Sequence, residues 1–262
     1  MTTDIHWKAG GISVAGFAHE EDDIPCQDAH AFKIRDDGWL VAAVADGAGS
    51  VAKSHIGAQA YVSAVVGRFA AEPDLSAMTE EAMVGSFIDE INSTTQILLD
   101  TDVAGATLSD VSRSEFAATI VMVVGHADGG TFFHVGDGAG VALKLKNFAD
   151  AVISKPQNGE YANETYFVTM DDWEDHLRIT SFDNTFDTVV LMSDGVTPMA
   201  MTKGCEAPFP SFVRPVIEYL LKADPEVGQT TLHNTLTQDK IRAITGDDKT
   251  LFWASQPSPP ET

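Results

Sequence analysis

Apolar residues run unbroken from Leu40 to Ala45, and the run stops at an Asp-Gly pair, Asp46-Gly47. A short apolar run between turn residues predicts a strand buried on both faces. The pattern returns in Phe186 to Ser193 (FDTVVLMS), which ends at Asp194-Gly195, and in Thr131 to Gly136 (TFFHVG), which ends at Asp137-Gly138. A polar link, Ile244 to Gly246, leads into Asp247-Asp248 and then the apolar segment Thr250 to Ala254. Gly11 to His19 and Asp28 to Arg35 also read as strands, joined by the acidic link Glu20 to Asp23; with the Leu40 strand they predict an antiparallel meander.

Helical spacing takes over after the first strands. Ser54 to Ala71 is Ala-rich and predicts a helix lying close on a sheet. Thr79 to Leu99 places Met83, Phe87, Ile91 and Leu98 on one face, with Glu80 and Glu81 favourably in the first turn. Asp100 to Ser114 is a polar connection to a β-rich run, Phe116 to Val124, and Ala127 to Gly130 is a hairpin turn. A second hairpin is expected through Asp137-Gly138, leading to a strand with Val141, Leu143 and Leu145 on one face. Further strands are expected over Glu164 to Met170, His176 to Phe182 and Phe186 to Ser193, then helices over Phe212 to Lys222 and Val227 to Ala243, and a last strand ending near Ala254. Strands and helices come in blocks instead of strict alternation, which predicts an α+β fold with antiparallel sheets between helix pairs.

Composition narrows the class. The 262 residues are 44% hydrophobic, so a large core can form. Residues 1–255 read as one domain and 256–262 (QPSPPET) as a short tail. Thirty-nine acidic against 16 basic residues leave a formal net charge of -23, which disfavours nucleic acid and anionic membrane and favours cations and basic partners. Cys26 and Cys205 are too few for a disulfide framework and lack a zinc spacing. That cysteine usage suits a reducing cytoplasm, and neither an export signal nor a run of apolar residues long enough to span a bilayer is found; a monomer is expected.

The Asp-Gly ends then acquire a chemical meaning. One such pair is a turn or a helix cap. Four carboxylate positions at the ends of separate strands are better explained by convergence on a shared hard-cation site. Competing readings fit less well: Gly136 to Gly140 joins two strands and lacks the context of a dinucleotide loop, no Asp-rich stretch has EF-hand spacing, and Ser50 or Ser193 with His55 lacks a nucleophile elbow.

The order CQDA at 26–29, VADGAGS at 44–50, AATIVMV at 117–123, HVGDG at 134–138, LMSDG at 191–195 and GDDKTL at 246–251 resembles the PPM family of metal-dependent protein serine/threonine phosphatases, the type 2C class. GEYANET at 159–165 and APFPSF at 207–212 resemble its compact bacterial branch. The similarity spans nearly the whole chain. It implies a four-layer αββα sandwich of two mainly antiparallel sheets flanked by helix pairs, with two divalent ions, Mn2+ or Mg2+, at one edge. Asp46 is then expected to bridge the ions, Gly47 to offer its carbonyl to one, Asp194 and Asp247 to hold the other, and Asp28 to act through bound water. The implied reaction is hydrolysis of phosphoserine and phosphothreonine in proteins by direct attack of a metal-bridging hydroxide, with no phosphoenzyme. A phosphorylated protein in bacterial signalling, and the kinase that it opposes, are the implied partners.

The chain also departs from the family pattern. His19 stands where many members carry a phosphate-gripping Arg, so it is either a phosphate ligand or a surface histidine. Ala48 stands where some members carry His, leaving no general acid there, so the proton for the leaving oxygen is expected from water or a metal-bound water. Asp137 matches a third-metal ligand, yet Pro198 replaces its usual partner, so Asp137 is either that ligand or a hairpin-turn residue. Two other functions stay open: a binding module with little turnover, and a phosphoesterase for small molecules. The Val196 to Ser211 segment is expected to shape access to the site.

Overall fold

The computed structural model describes residues 7–21, 23–103, 112–158 and 165–256. In chain order the elements are β1 (Lys8–Val14), α1 (Phe17–Glu21), β2 (Ala29–Ile34), β3 (Leu40–Ala45), α2 (Ser54–Ala70), α3 (Glu80–Val103), β4 (Ile120–His126), β5 (Gly129–Val135), β6 (Ala139–Lys144), β7 (Asn147–Ser154), β8 (Arg178–Asp183), β9 (Thr188–Met192), α4 (Thr197–Ala200), α5 (Pro210–Lys222), α6 (Pro225–Thr237), α7 (Asp239–Arg242) and β10 (Lys249–Ser255). They build two five-stranded antiparallel sheets, β1-β10-β9-β6-β7 and β2-β3-β4-β5-β8.

Strand periodicity distributes the core over three apolar layers. Along β3, Val41, Ala43 and Ala45 face α2 and α3, where they meet Tyr61, Val65 and Ile91. Leu40, Ala42 and Val44 face the other sheet, where they meet Leu191, Phe252 and Ala254. On the far side of that second sheet, Val190, Leu251 and Trp253 pack on Ile217, Leu220 and Leu232 of α5 and α6. Alternation here is between two dry layers, not between oil and water, which is why β3 reads as a continuous apolar run; all six residues are at most 1% exposed. The sandwich is therefore αββα, as the sequence leads one to expect.

Several local expectations are overturned. The meander does not begin at β1, which pairs with β10 in the other sheet; the meander proper is β2-β3-β4-β5. The first strand stops at Val14, because Gly16 lies against the carbonyl of Gly246 so closely that a Cβ would sit 2.1 Å from it, and the chain turns there into α1. Asp137-Gly138 is not a hairpin: β5 and β6 belong to different sheets, so this turn carries the chain across the sandwich. The strand expected over 164–170 is absent in its described part. After an isolated bridge at Thr165, Val168 bonds to the Ala118 carbonyl and Met170 closes a turn on Phe167. The helix expected over 227–243 is two, because Gln238 is extended (φ -67, ψ 151) and Arg242 Nε returns to bond the Thr237 carbonyl at 2.9 Å. β7 has no counterpart in the expected elements, and residues 159–164 and 257–262 lie outside the described ones.

Phe87 of α3 stacks on Phe133 (centroids 5.3 Å apart) and meets the edge of Trp173 at 6.3 Å, fully buried. Truncation to alanine leaves a cavity under the helix layer, so Phe87→Ala is expected to cost about 3–5 kcal/mol in urea denaturation, whereas exposed Ile97→Ala should cost below about 0.5 kcal/mol. Equal small losses would contradict this packing.

A carboxylate cluster at the sheet ends

The clustered carboxylates sit where buried strands give way to turns, whereas His19 lies in α1. Asp46 follows β3 directly. Its backbone is held by Thr119 in both directions, with Asp46 N–H donating to Thr119 Oγ1 at 3.1 Å and Thr119 N–H to the Asp46 carbonyl at 2.8 Å. Gly47 threads between Gln27 and Ser54; a Cβ there would sit 2.7 Å from the Gln27 carbonyl, so only glycine fits. Asp194 follows β9 and Ser193, and its carbonyl accepts the Thr197 N–H at 3.1 Å and hydroxyl at 2.9 Å at the start of α4. Gly195 crosses the Asp247-Asp248 loop so closely that a Cβ would meet the Asp248 carbonyl at 1.9 Å. Asp137 comes off β5 through Gly136, whose φ of 108° suits glycine, and Thr165 Oγ1 donates to its Oδ2 at 2.5 Å.

These turns meet in a cleft of about 190 Å³, walled by Asp46, Gly47, Asp137, Asp194, Asp247 and His19. Carboxylate oxygens of Asp46, Asp137 and Asp194 all lie within 4.8 Å of one another. Asp247 shares the cleft but stands outside that tight group, its Oδ2 accepting the Thr245 hydroxyl at 2.8 Å. Asp28 is buried behind the cleft, and neither oxygen makes a regular hydrogen bond. The hydroxyls of Ser193 and Thr250 stand beside it and favour its ionised form without bonding it in good geometry. Asp137 Oδ1 is likewise buried without a partner.

The electrostatics fit a site built for a cation. Burial pushes the Asp46 carboxyl well up, and the charges of Asp28 and Asp194 add to it. Burial and the Asp137 charge push Asp194 up to about 6; burial, with a smaller push from the Asp248 charge, raises Asp28 to about 7. Burial also raises Asp137, partly offset by Thr165. Buried like charges raise one another in this way when no counter-charge is present. Carboxylate oxygens with unpartnered lone pairs and no thiolate or imidazole among the tight group suit hard divalent ions. The residues present therefore fit the metals implied for the fold.

Some expectations were misplaced. The Val196 to Ser211 segment does not line the cleft; Met199, Met201 and Cys205 anchor it on the core beneath α5, while Lys203, Glu206 and Phe209 stay exposed. The groove beside the cleft, about 660 Å³, is lined instead by Ala48 to Val51, Ser112 to Ser114 and Thr165 to Asp171. A separate cavity of about 290 Å³ lies between β1 and α6 but holds a single carboxylate, Asp224. Sequence reasoning missed Asp248, whose burial follows only from the fold. It also missed Arg178, which donates to Gln157 Oε1 at 2.6 Å and the Gly136 carbonyl at 3.0 Å, and which burial pushes down to about 10. Arg178 thereby braces the Asp137 turn.

The comparisons agree with this fold. The family model described as protein phosphatase 2C matches residues 15–237, and the chain belongs to that family. Serine/threonine-protein phosphatase 3 of Escherichia coli K12 is 28% identical over 266 residues, covering 95% of this chain and 100% of the relative. The serine/threonine phosphatase Stp1 of Staphylococcus aureus shares the fold at a TM-score of 0.61 and 14% identity, covering 98% of each chain. The catalytic domain of the protein phosphatase PstP, solved with two manganese ions, aligns at a TM-score of 0.62 and 13% identity, covering 96% of this chain and 98% of that one.

The raised carboxyls give the metal-free protein a definite pH dependence. An unfolded carboxylate titrates near 4, so the folded chain binds these protons more tightly than the unfolded one. The stability that they contribute is full below about pH 4 and is lost as pH climbs through about 6 to 7. Metal-free protein is expected to melt at falling temperature from about pH 5 to about pH 8, with divalent ion flattening the curve. Asp194→Asn should raise the metal-free melting temperature at the upper pH and change it little at the lower. A lower melting temperature at both would show that the carboxylates do not repel one another.

Proposed function

We propose that this chain hydrolyses phosphoserine and phosphothreonine in proteins, using two divalent ions, Mn2+ or Mg2+, held by the carboxylates at the sheet ends. The observation that carries the reading is the cluster of Asp46, Asp137 and Asp194, half-buried with carboxylate oxygens within 4.8 Å of one another and, among the described residues, no cation bonded to them. Asp46 and the Gly47 carbonyl would hold one ion, Asp46, Asp194 and Asp247 would hold the other, and Asp28 would act through water from behind. Asp137, inside the cluster, would be the ligand for a third ion, if one binds without the partner that Pro198 replaces. When bound, such ions lower the pKa of water and neutralise phosphate charge.

The chain supplies position and exclusion. Strand ends anchored in three dry layers hold the carboxylates with little freedom to drift. The threonine hydroxyls of the cleft are already engaged, Thr119 by the Asp46 amide and Thr165 by Asp137, which supports attack by water without a phosphoenzyme. The adjoining groove suits the chain on either side of a phosphorylated residue, favouring a protein over a free phosphoamino acid. Retention of all the carboxylates disfavours a binding module, which has no use for them.

The chain reads as one catalytic domain over 1–255, since β1 and β10, near its two ends, pair with each other. No helix among the described residues is long and apolar enough to cross a membrane. Both cysteines are free thiols, and burial pushes the Cys26 thiol up and out of reactivity, which suits a reducing cytoplasm.

The test is hydrolysis of a phosphothreonine peptide by metal-stripped protein, with manganese, magnesium, calcium or nothing added back. Turnover is expected with manganese or magnesium only, and Asp46→Asn should lower it at least about a hundredfold while the fold persists. Near-normal turnover in a well-loaded variant would sink the assignment.

A further inference from the structure

His19 and Asp248 form a pair that metal binding leaves unused. Asp248 is buried and its carboxylate accepts three bonds: Oδ1 from the Gly16 N–H at 2.6 Å and from the His19 ring at 2.9 Å, and Oδ2 from the Gln27 N–H at 2.5 Å. Two of those donors are backbone amides, which can only donate, so the carboxylate is held as an acceptor. That fixes the ring. Nδ1 of His19 carries a hydrogen toward Asp248, and Nε2 is the nitrogen left for the cleft that His19 lines with Asp46, Asp194 and Asp247. The corner carrying the ring is tied down twice more, by Ala18 N–H to the Gly246 carbonyl at 3.3 Å and by the Arg242–Glu20 ion pair at 2.8 Å.

We infer that His19, oriented by Asp248, donates the proton to the leaving oxygen of the substrate; the inference rests on the phosphatase reading above. As the phosphorus–oxygen bond to serine or threonine breaks, its electron pair passes to that oxygen, which takes the proton from Nε2 of the imidazolium. The ring is left neutral, its remaining hydrogen still shared with Asp248, and regains a proton from water. Among the described residues lining the cleft, His19 is the one titratable side chain that is not a carboxylate, and Ala48 offers no alternative donor. A serine or threonine alkoxide is a poor leaving group, and acid catalysis by a positioned side chain contributes typically about 10²–10⁴-fold. Asp248 is the positioning residue, acting through the ring as the carboxylate does in an Asp–His pair.

A phosphate grip and a proton donor predict different substrate dependence. Manganese-loaded His19→Gln and His19→Arg are assayed on a phosphothreonine peptide and on p-nitrophenyl phosphate, whose phenolate leaves without protonation. His19→Gln is expected to lower kcat at least about a hundredfold on the peptide and only a few fold on the aryl ester. His19→Arg keeps a cation for phosphate but cannot deliver the proton, so on the peptide it should behave like His19→Gln. Equal losses on both esters, or recovery of peptide turnover by arginine, would overturn the inference. Wild type inactive on both esters would overturn the phosphatase reading and this inference with it. A second readout needs neither metal nor turnover: imidazole nitrogen shifts of metal-free protein should place the neutral ring's hydrogen on Nδ1, and a hydrogen on Nε2 would refute the pairing.

Discussion

The chain is built around a repulsion. Asp46, Asp137 and Asp194 bring carboxylate oxygens within 4.8 Å of one another, with Asp28 buried behind them and Asp247 at the rim. Among the described residues, no lysine or arginine lines the cleft. Arg178 is turned to Gln157 and the Gly136 carbonyl, and Lys249 Nζ to the Asp247 carbonyl at 2.6 Å. Such an arrangement is costly in the metal-free chain and becomes favourable only with cations in place, so folding stability and function draw on the same groups in opposite directions.

Holding like charges together needs a frame that does not yield, and the three apolar layers provide it. Strands buried on both faces cannot slip by one residue without exchanging one dry layer for another, so the position of each terminal carboxylate is set by register. Glycines do the remaining work at the crossings. Gly16 against Gly246, Gly47 against Gln27 and Gly195 against Asp248 let three turns approach at distances that any side chain would forbid. Asp248 then locks two of these turns to the Gln27 amide and to His19, joining the first motif of the chain to the last.

Much of the site was legible along the chain because strand ends followed by Asp-Gly are local signals. Asp46, Asp194 and Asp137 could each be marked from an apolar run and the pair that ends it, and the Ala-rich and amphipathic helices could be bounded to within a few residues. Register across space could not. Whether β5 and β6 pair as a hairpin or part into different sheets depends on what lies across the sandwich, and the turn between them looks the same in either case. The same holds for β1, which leaves its sequence neighbours to pair with β10.

The sequence by itself determined the layered α+β character, the carboxylate set and the kind of ion that it suits, because hydrophobic period and ligand chemistry are written residue by residue. Tertiary structure alone decided which carboxylates meet closely, that Asp137 is among them, that 196–211 is anchored beneath α5 and away from the cleft, and that Asp248 holds His19. Those outcomes depend on backbone approaches between segments up to 232 residues apart, as in the Gly16–Asp248 bond, and no local pattern encodes such a distance.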